Sequence, residues 1–297
     1  MILLRKDIYI GILVSIILIN CGGNKTSDTS TNKNQVFDSS VAPYTTGLWY
    51  KPNINTSWQW QLQGNIDTSY NAEVYDIDLF DTNATVIQSL KNNGKKVICY
   101  FSAGSYENWR SDKDKFPLSV LGNDMDGWTG EKWLDISNDN IAHIMESRLD
   151  LAVQKGCDGV EPDNMDGYDN NTGFDLSAND QLAYNKFIAN EARKRGLSVG
   201  LKNDLDQIIE LEPYFDFSLN EQCHAYNRCD KMQPFIDNNK PVFNAEYSQK
   251  YVDNNSGARD KMCADPIALK FKTLVLPLEL DNSFRYSCNL NAFVVRH

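Results

Sequence analysis

Gly156-Cys-Asp-Gly-Val-Glu-Pro-Asp-Asn-Met-Asp-Gly-Tyr168 decides how this chain folds. Before it, residues 141–155 place Ile141, Ile144, Met145, Leu149, Ala152 and Val153 on one helical face. Gly156 then stops the helix, as glycine does best in the left-handed conformation of a helix end. A short strand over 159–163 follows, and it delivers Glu161, Asp163, Asn164 and Asp166 almost side by side. Carboxylates crowded at a strand end repel one another, so packing gains little from them. An enzyme that needs a nucleophile and a proton donor gains a great deal. A calcium loop or an acidic turn is the plain alternative, but Pro162 and the loop after it lack calcium-ligand spacing.

The same unit recurs along the chain. Val86, Ile87 and Leu90 mark a helix that Gly94 stops, and Lys96-Val-Ile-Cys-Tyr-Phe101 is the strand after it. A helix over 182–195 ends at Gly196 and leads into Leu197-Ser-Val-Gly-Leu201. Helix, glycine and buried strand in alternation imply parallel β/α units. Counting them gives eight strands, near 58–62, 74–80, 97–103, 159–163, 198–203, 215–221, 241–247 and 273–279. Eight closes a (β/α)8 TIM barrel, and residues 41–297 have the size of one such α/β domain. Trp58-Gln-Trp-Gln-Leu62 alternates like a half-exposed strand. An open doubly wound sheet would carry a glycine-rich phosphate loop, and the sequence has none.

Residues 1–20 read as an export signal: Arg5 and Lys6, then an apolar run over 8–19 too short for a comfortable bilayer span. The run ends at Leu18-Ile-Asn-Cys21, which resembles a bacterial lipobox. Cys21 is therefore expected to carry the lipid, anchoring an exported lipoprotein to a membrane of the cell envelope or surface. Asn20 departs from the small residue usual before that cysteine. Residues 21–40 are rich in Ser, Thr and Asn and read as a flexible tether.

The other six cysteines suggest disulfides in an exported chain. Spacing favours Cys223 with Cys229 and Cys263 with Cys288, which leaves Cys99 with Cys157; free buried thiols are the alternative, strongest at Cys99. The formal charge is −11, and near −12 without Arg5, Lys6 and Asp7, so nucleic acid is an unfavourable partner. No cofactor is expected, and the chain reads as a monomer. The three histidines, His143, His224 and His297, make a histidine-type zinc site unfavourable, and with it a metal-dependent deacetylase.

In such a barrel the strand ends face one mouth. They supply Asp76 and Asp78; Ser102, Gly104, Glu107 and Arg110; Glu161, Asp163 and Asn164; Lys202, Asn203 and Asp204; Asn220, Glu221 and Gln222; and Glu246 and Tyr247. Charged groups ending apolar strands are costly unless paired or used.

The strings that carry these groups resemble glycoside hydrolase family 114, the endo-α-1,4-polygalactosaminidases. They are Trp58-Gln-Trp-Gln-Leu62 with Gly64, Tyr75-Asp-Ile-Asp-Leu-Phe-Asp81, Val97-Ile-Cys-Tyr-Phe-Ser-Ala-Gly-Ser105 with Glu107, Trp109 and Arg110, and Gly127-Trp128 with Glu131-Lys-Trp133. Further on come Cys157 to Tyr168, Gly200-Leu-Lys-Asn-Asp204, Asn220-Glu-Gln-Cys223 and Pro241-Val-Phe-Asn-Ala-Glu-Tyr247. The resemblance implies a TIM barrel that cleaves α-1,4-linked galactosamine or N-acetylgalactosamine polymers, as in biofilm exopolysaccharide.

Glycoside cleavage uses two carboxyl groups, one on each side of the bond. Asp163 is expected to be the nucleophile and Glu221 the acid/base, with Glu161 the competitor to Asp163. Asp76, Asp78, Glu161, Asn164, Tyr168, Lys202, Asn203 and Glu246 are expected to bind substrate. The sugar platforms are sought among Trp49, Trp60, Tyr100, Tyr106, Trp109, Trp128, Tyr168 and Tyr247, with Tyr168 preferred for its place after the acidic cluster. A carbohydrate-binding lipoprotein that has lost catalysis is the other reading.

Overall fold

The computed structural model describes residues 36–265, 268 and 270–289. The expected signal segment, Cys21 and most of the expected tether lie outside the described residues. No described helix is long and apolar enough to cross a membrane.

The chain opens with β1 (Trp58–Gln61), β2 (Val74–Asp78), α1 (Ala84–Asn92) and β3 (Lys96–Ser102). Next come β4 (Ser105–Glu107), β5 (Leu121–Asp124) and β6 (Glu131–Leu134), then α2 (Ala142–Lys155), β7 (Gly159–Asp163) and α3 (Ala178–Lys194). β8 (Ser198–Lys202), α4 (Ile208–Leu211), β9 (Phe217–Glu221), α5 (Gln233–Asp237) and β10 (Val242–Glu246) continue the alternation. α6 (Gln249–Val252), α7 (Ala258–Cys263), β11 (Lys272–Val275) and β12 (Tyr286–Ser287) complete it.

Local chemistry sets these boundaries. Asn83 caps α1 by accepting from the Thr85 amide, and Ser177 with Asp180 forms a capping box on α3. α2 ends where Gly156 takes φ 87°.

The sheet order is β1-β2-β3-β7-β8-β9-β10-β11-β12, parallel from β1 to β11. This is an α/β TIM-like fold built on a strongly curled sheet. The strand order joins β1 to β2 alone, so a side-chain seam closes the curl: the Trp58 indole donates to Lys272 O at 2.6 Å. Beyond β11 the chain turns back. β12 pairs antiparallel with β11, and Arg285 donates to Trp58 O and to Gln59 Oε1.

That seam corrects the half-exposed reading of β1, whose four residues are all buried. Trp58 and Trp60 enter the interior, while Gln59 holds Arg285 and Gln61 holds the turn after the strand through Gln63 O, Asn65 O and the Asp67 amide. The folded part also begins earlier than residue 41. Phe37 is 3% exposed and packs on the Tyr184 and Phe187 rings of α3, so residues 37–40 belong to the domain and not to a tether.

Strand alternation sends every second residue inward. The deepest interior layer is apolar, with Trp58, Val74, Ile98, Phe217 and Phe243, and Trp58 stacks on Phe243 at 4.8 Å. The opposite faces, with Ile77, Val97, Phe101 and Val160, meet the helices through Leu149, Tyr184 and Ile188. The next inward positions toward the strand ends are Asp76, Tyr100, Glu161 and Lys202, and beyond them Asp78, Asp163 and Glu221. Between β3 and α2 the chain builds a second sheet, β4-β6-β5, that the helix-strand rhythm does not announce.

Disulfides join Cys99 to Cys157, Cys223 to Cys229 and Cys263 to Cys288, with Cα separations of 6.1, 4.7 and 5.0 Å. The first ties β3 to the turn before β7 across 58 residues. A loop of that length is worth about 4 kcal/mol of unfolded-chain entropy. Replacing Cys99 and Cys157 together by Ala is expected to lower stability by about that amount in urea titration. An unchanged midpoint would show that the bond does not stabilise the fold.

Candidate active site

At the strand ends a cavity of about 730 Å³ opens, with Asp163 and Glu221 in its wall. Lys202 lies between them. Its Nζ is 3.1 Å from Asp163 Oδ1, 3.4 Å from Glu221 Oε2 and 3.0 Å from Glu161 Oε1. Contacts of 3.1 and 3.4 Å to one nitrogen keep those Asp163 and Glu221 oxygens within 6.5 Å of each other. Burial opposes the charge on Lys202, but the carboxylates of Asp163, Glu161 and Glu221 outweigh it and hold its pKa well above the ordinary lysine value. The ammonium also sits 4.9 Å over the Trp60 ring.

Asp163 and Glu221 each have a phenol donor. Tyr100 OH donates to Asp163 Oδ2 at 3.0 Å, and Tyr247 OH donates to Glu221 Oε1 at 2.5 Å. Burial first, then the neighbouring carboxylates, push both phenols well above the usual tyrosine range, so both keep their protons. Tyr100 and Tyr247 therefore hold carboxylates through their hydroxyls, and of the two Tyr100 also lines the cavity. Asn203 supports Glu221 twice: Nδ2 donates to Oε2 at 3.3 Å, and Oδ1 accepts from the Glu221 amide at 3.1 Å.

The end of β7 is held from the β3 side. The amides of Ala103 and Gly104 both donate to Asp163 O, at 2.8 and 3.0 Å. A Cβ on Gly104 would lie 1.7 Å from Asn164 O, so only glycine admits this approach. Asn164, at φ 60°, donates to Ser102 Oγ at 2.8 Å, and Ser105 Oγ passes the network to Glu131 Oε2 at 2.8 Å.

The structure separates the expected substrate-binding residues by depth. Asp78, Asp163, Asn164, Lys202, Asn203 and Glu221 line the cavity. Asp78 is held by Arg110, with Nη2 to Oδ2 at 2.7 Å, while Glu107 accepts from Arg110 Nε at 2.9 Å. Asp76 and Glu161 are buried one layer below and are not in the cavity wall. Burial, ahead of the neighbouring charges, raises Glu161 to about 7.

Glu246 follows Phe243 and Ala245 on β10 with the opposite parity, so it points out of the interior and cannot reach a ligand in the cavity. It accepts from the His224 amide at 2.8 Å and from Asn244, fastening the loop after Glu221. Tyr168 is also outside the cavity wall; its amide donates to Gln181 Oε1 at 3.3 Å. Trp49 lies elsewhere, donating to Asp216, and Tyr106 packs on Phe116.

Trp60 lines the cavity but is buried beneath Lys202, which leaves Trp109 and Trp128 as the exposed candidate platforms. They are 49% and 47% exposed and line the cavity from the segment that includes β4, β5 and β6. That segment also supplies Glu131, which sequence reasoning did not assign. Burial chiefly, then the carboxylates of Glu107 and Asp163, raises Glu131 to about 7 against the Ser105 hydrogen bond. Asp166, in the cavity wall, is raised to about 6 by burial and by Asp163. The motif Glu131-Lys-Trp133 was the available signal for Glu131.

Cys223, His224 and Cys229 bring ligand-type atoms within 4.8 Å of one another, but both sulfurs are spent in their disulfide.

The family model described as glycoside-hydrolase family GH114 matches residues 39–292. The chain is 45% identical to Ega3 of Aspergillus fumigatus, whose crystal structure is a complex with galactosamine; the TM-score is 0.78, covering 82% of this chain and 99% of that one. The glycoside hydrolase domain of PelA from Pseudomonas aeruginosa has a TM-score of 0.59 at 12% identity, covering 76% of this chain and 96% of that one, a likeness of fold alone. No curated protein matches the sequence.

Proposed function

The chain belongs to glycoside-hydrolase family GH114, and on that premise we propose that it cleaves α-1,4-linked galactosamine polymers internally, by a retaining mechanism. The observation that carries the mechanism is one lysine bridging Asp163 and Glu221. Their bridged oxygens lie no more than 6.5 Å apart, from contacts of 3.1 and 3.4 Å. Retaining pairs stand about 5–5.5 Å apart and inverting pairs about 6.5–9.5 Å.

Asp163 attacks the anomeric carbon while Glu221 gives its proton to the departing glycosidic oxygen. The sugar is then held as an ester on Asp163. Glu221, now the base, takes a proton from water, and the water oxygen displaces the ester. Asp163 takes the nucleophile's part rather than Glu161 because it lines the cavity and Glu161 does not. The ion pair with Lys202 and the hydrogen bond from Tyr100 both favour the charged form of Asp163.

The charge of the mouth favours an aminosugar. Eight described carboxyl residues line the cavity against Arg110 and Lys202, and both cations are already engaged by carboxylates. A sugar ammonium offsets that surplus, whereas an acetamide does not. The galactosamine in the Ega3 complex supports the same substrate class. Trp109 and Trp128 would stack on flanking sugars. Three disulfides support export, and with the lipobox-like Leu18-Ile-Asn-Cys21 they suit a lipid-anchored monomer acting on exopolysaccharide.

Incubating the protein with de-N-acetylated and fully acetylated galactosamine polymers tests this. The expected result is a ladder of internal fragments from the de-N-acetylated polymer in mass spectra, with the α anomer first in NMR. Intact polymer bound by the protein would instead mean a carbohydrate-binding module, and β product would exclude retention.

A further inference from the structure

Beneath Asp163 lies a carboxyl pair that the reaction does not touch. Asp76 of β2 and Glu161 of β7 both face the interior and are buried. Neither oxygen of Asp76 receives a hydrogen bond from a donor among the described residues, nor does Oε2 of Glu161. After burial, Glu161 is the neighbour that acts most on the Asp76 carboxyl. Two ionised carboxylates in a dry contact repel and leave their lone pairs unpaired. A carboxylic acid carries an O–H donor, so one retained proton removes the repulsion and pairs two of the three orphan oxygens.

The surrounding charges point the same way. Lys202 faces the pair from β8, Asp163 from β7 and Glu221 from β9, with the Tyr100 phenol on β3. One cation serves four carboxyl groups. Burial first, and Glu161 second, hold the Asp76 carboxyl well above its ordinary range.

We propose that Asp76 is a positioning residue that keeps one proton, donates it to Glu161 and so fixes Lys202 between Asp163 and Glu221. The functional half of this rests on Asp163 and Glu221 being the reacting pair. The proposed Asp76 O–H···Glu161 bond would extend a line of observed contacts: Glu161 Oε1 to Lys202 at 3.0 Å, and Lys202 to Asp163 and Glu221 at 3.1 and 3.4 Å. Without a donor at position 76, Glu161 turns away or takes the proton itself. Either way the ammonium loses its shortest carboxylate contact.

Asn at position 76 still donates a hydrogen bond; Leu does not. The test uses Asp76→Asn and Asp76→Leu in the whole chain, with three readouts. The infrared difference spectrum of wild type minus Asp76→Asn at pH 7 is expected to show a protonated carboxyl band, and its absence overturns the proposal whatever the enzyme does.

The second readout is the thermal midpoint against pH. A carboxyl whose folded pKa is raised gives stability below its unfolded pKa that is lost as pH rises toward the folded value. Relative to wild type, Asp76→Asn is therefore expected to gain up to about 4 °C per pH unit from pH 5 to 8. A constant difference overturns the proposal.

The third is hydrolysis. Asp76→Asn is expected to keep kcat within about threefold, and Asp76→Leu to lose more than about tenfold in kcat at little-changed KM. Equal losses in the two overturn the positioning role. If the wild-type protein leaves the polymer intact, the hydrolase reading falls while the first two readouts still decide the proton. If Asp76→Leu does not fold, retained kcat in Asp76→Asn supports the role and a loss beyond tenfold overturns it.

Discussion

Asp163→Asn is expected to lower kcat by at least about 10⁴-fold, and Glu221→Gln by about 10²–10⁴-fold, with the folded state intact in both. Each change removes a function without changing shape. An amide at 163 cannot form the ester, and an amide at 221 has no acid proton to give the leaving oxygen. The two losses should differ in kind. A substrate with a good leaving group needs little help from an acid, so it should restore the first step in Glu221→Gln and leave Asp163→Asn inactive. Azide should rescue Glu221→Gln by replacing water in the second step. Stability should change little, because both side chains line the cavity, at 18% and 28% exposure. An active Asp163→Asn beside an inactive Glu161→Gln would move the nucleophile one layer down and refute the assignment.

Lys202→Met is expected to damage both activity and fold. The Lys202 side chain is 2% exposed and is the partner of three carboxylates. Removing one member of a buried ionic cluster leaves the others uncompensated, at a cost of about 3–5 kcal/mol. Burial already raises Glu161 to about 7 with the lysine in place. Without it Glu161 is driven further up and takes a proton, so part of the loss should return below neutral pH. A thermal midpoint read from pH 5 to 8 should show the variant closest to wild type at the acid end. Equal destabilisation across that range would mean that Met fails to pack there, not that charge is missing.

Much of the machinery was legible because strand parity is local. A period of two put Asp163 and Glu221 on inward positions at strand ends, and it would have excluded Glu246, since Phe243, Ala245 and Tyr247 take the inward parity of β10. The glycine stops after α1, α2 and α3 marked strand starts to within a residue or two. Tyr168 misled because proximity in sequence to an acidic cluster says nothing about which way a loop turns. The β4-β6-β5 wall escaped because its strands carry few apolar residues and pair with one another inside a long connection.

The sequence by itself determined the alternating units, the inward face of each strand and the pair of carboxylates at β7 and β9. Those follow from steric preferences and periodicities that span a few residues. Only the tertiary structure decided depth and partnership. It placed Glu161 and Asp76 below the mouth and Asp163 within it, gave Tyr100 and Tyr247 to the carboxylates, and set Lys202 among three of them. Depth depends on the stagger between neighbouring strands, and pairing depends on side chains brought together from distant segments. Glu161 meets Lys202 across 41 residues and Asp163 meets Tyr100 across 63. No local pattern encodes such distances, because curling and packing the sheet bring those groups together in a dry interior where charge must find its partner.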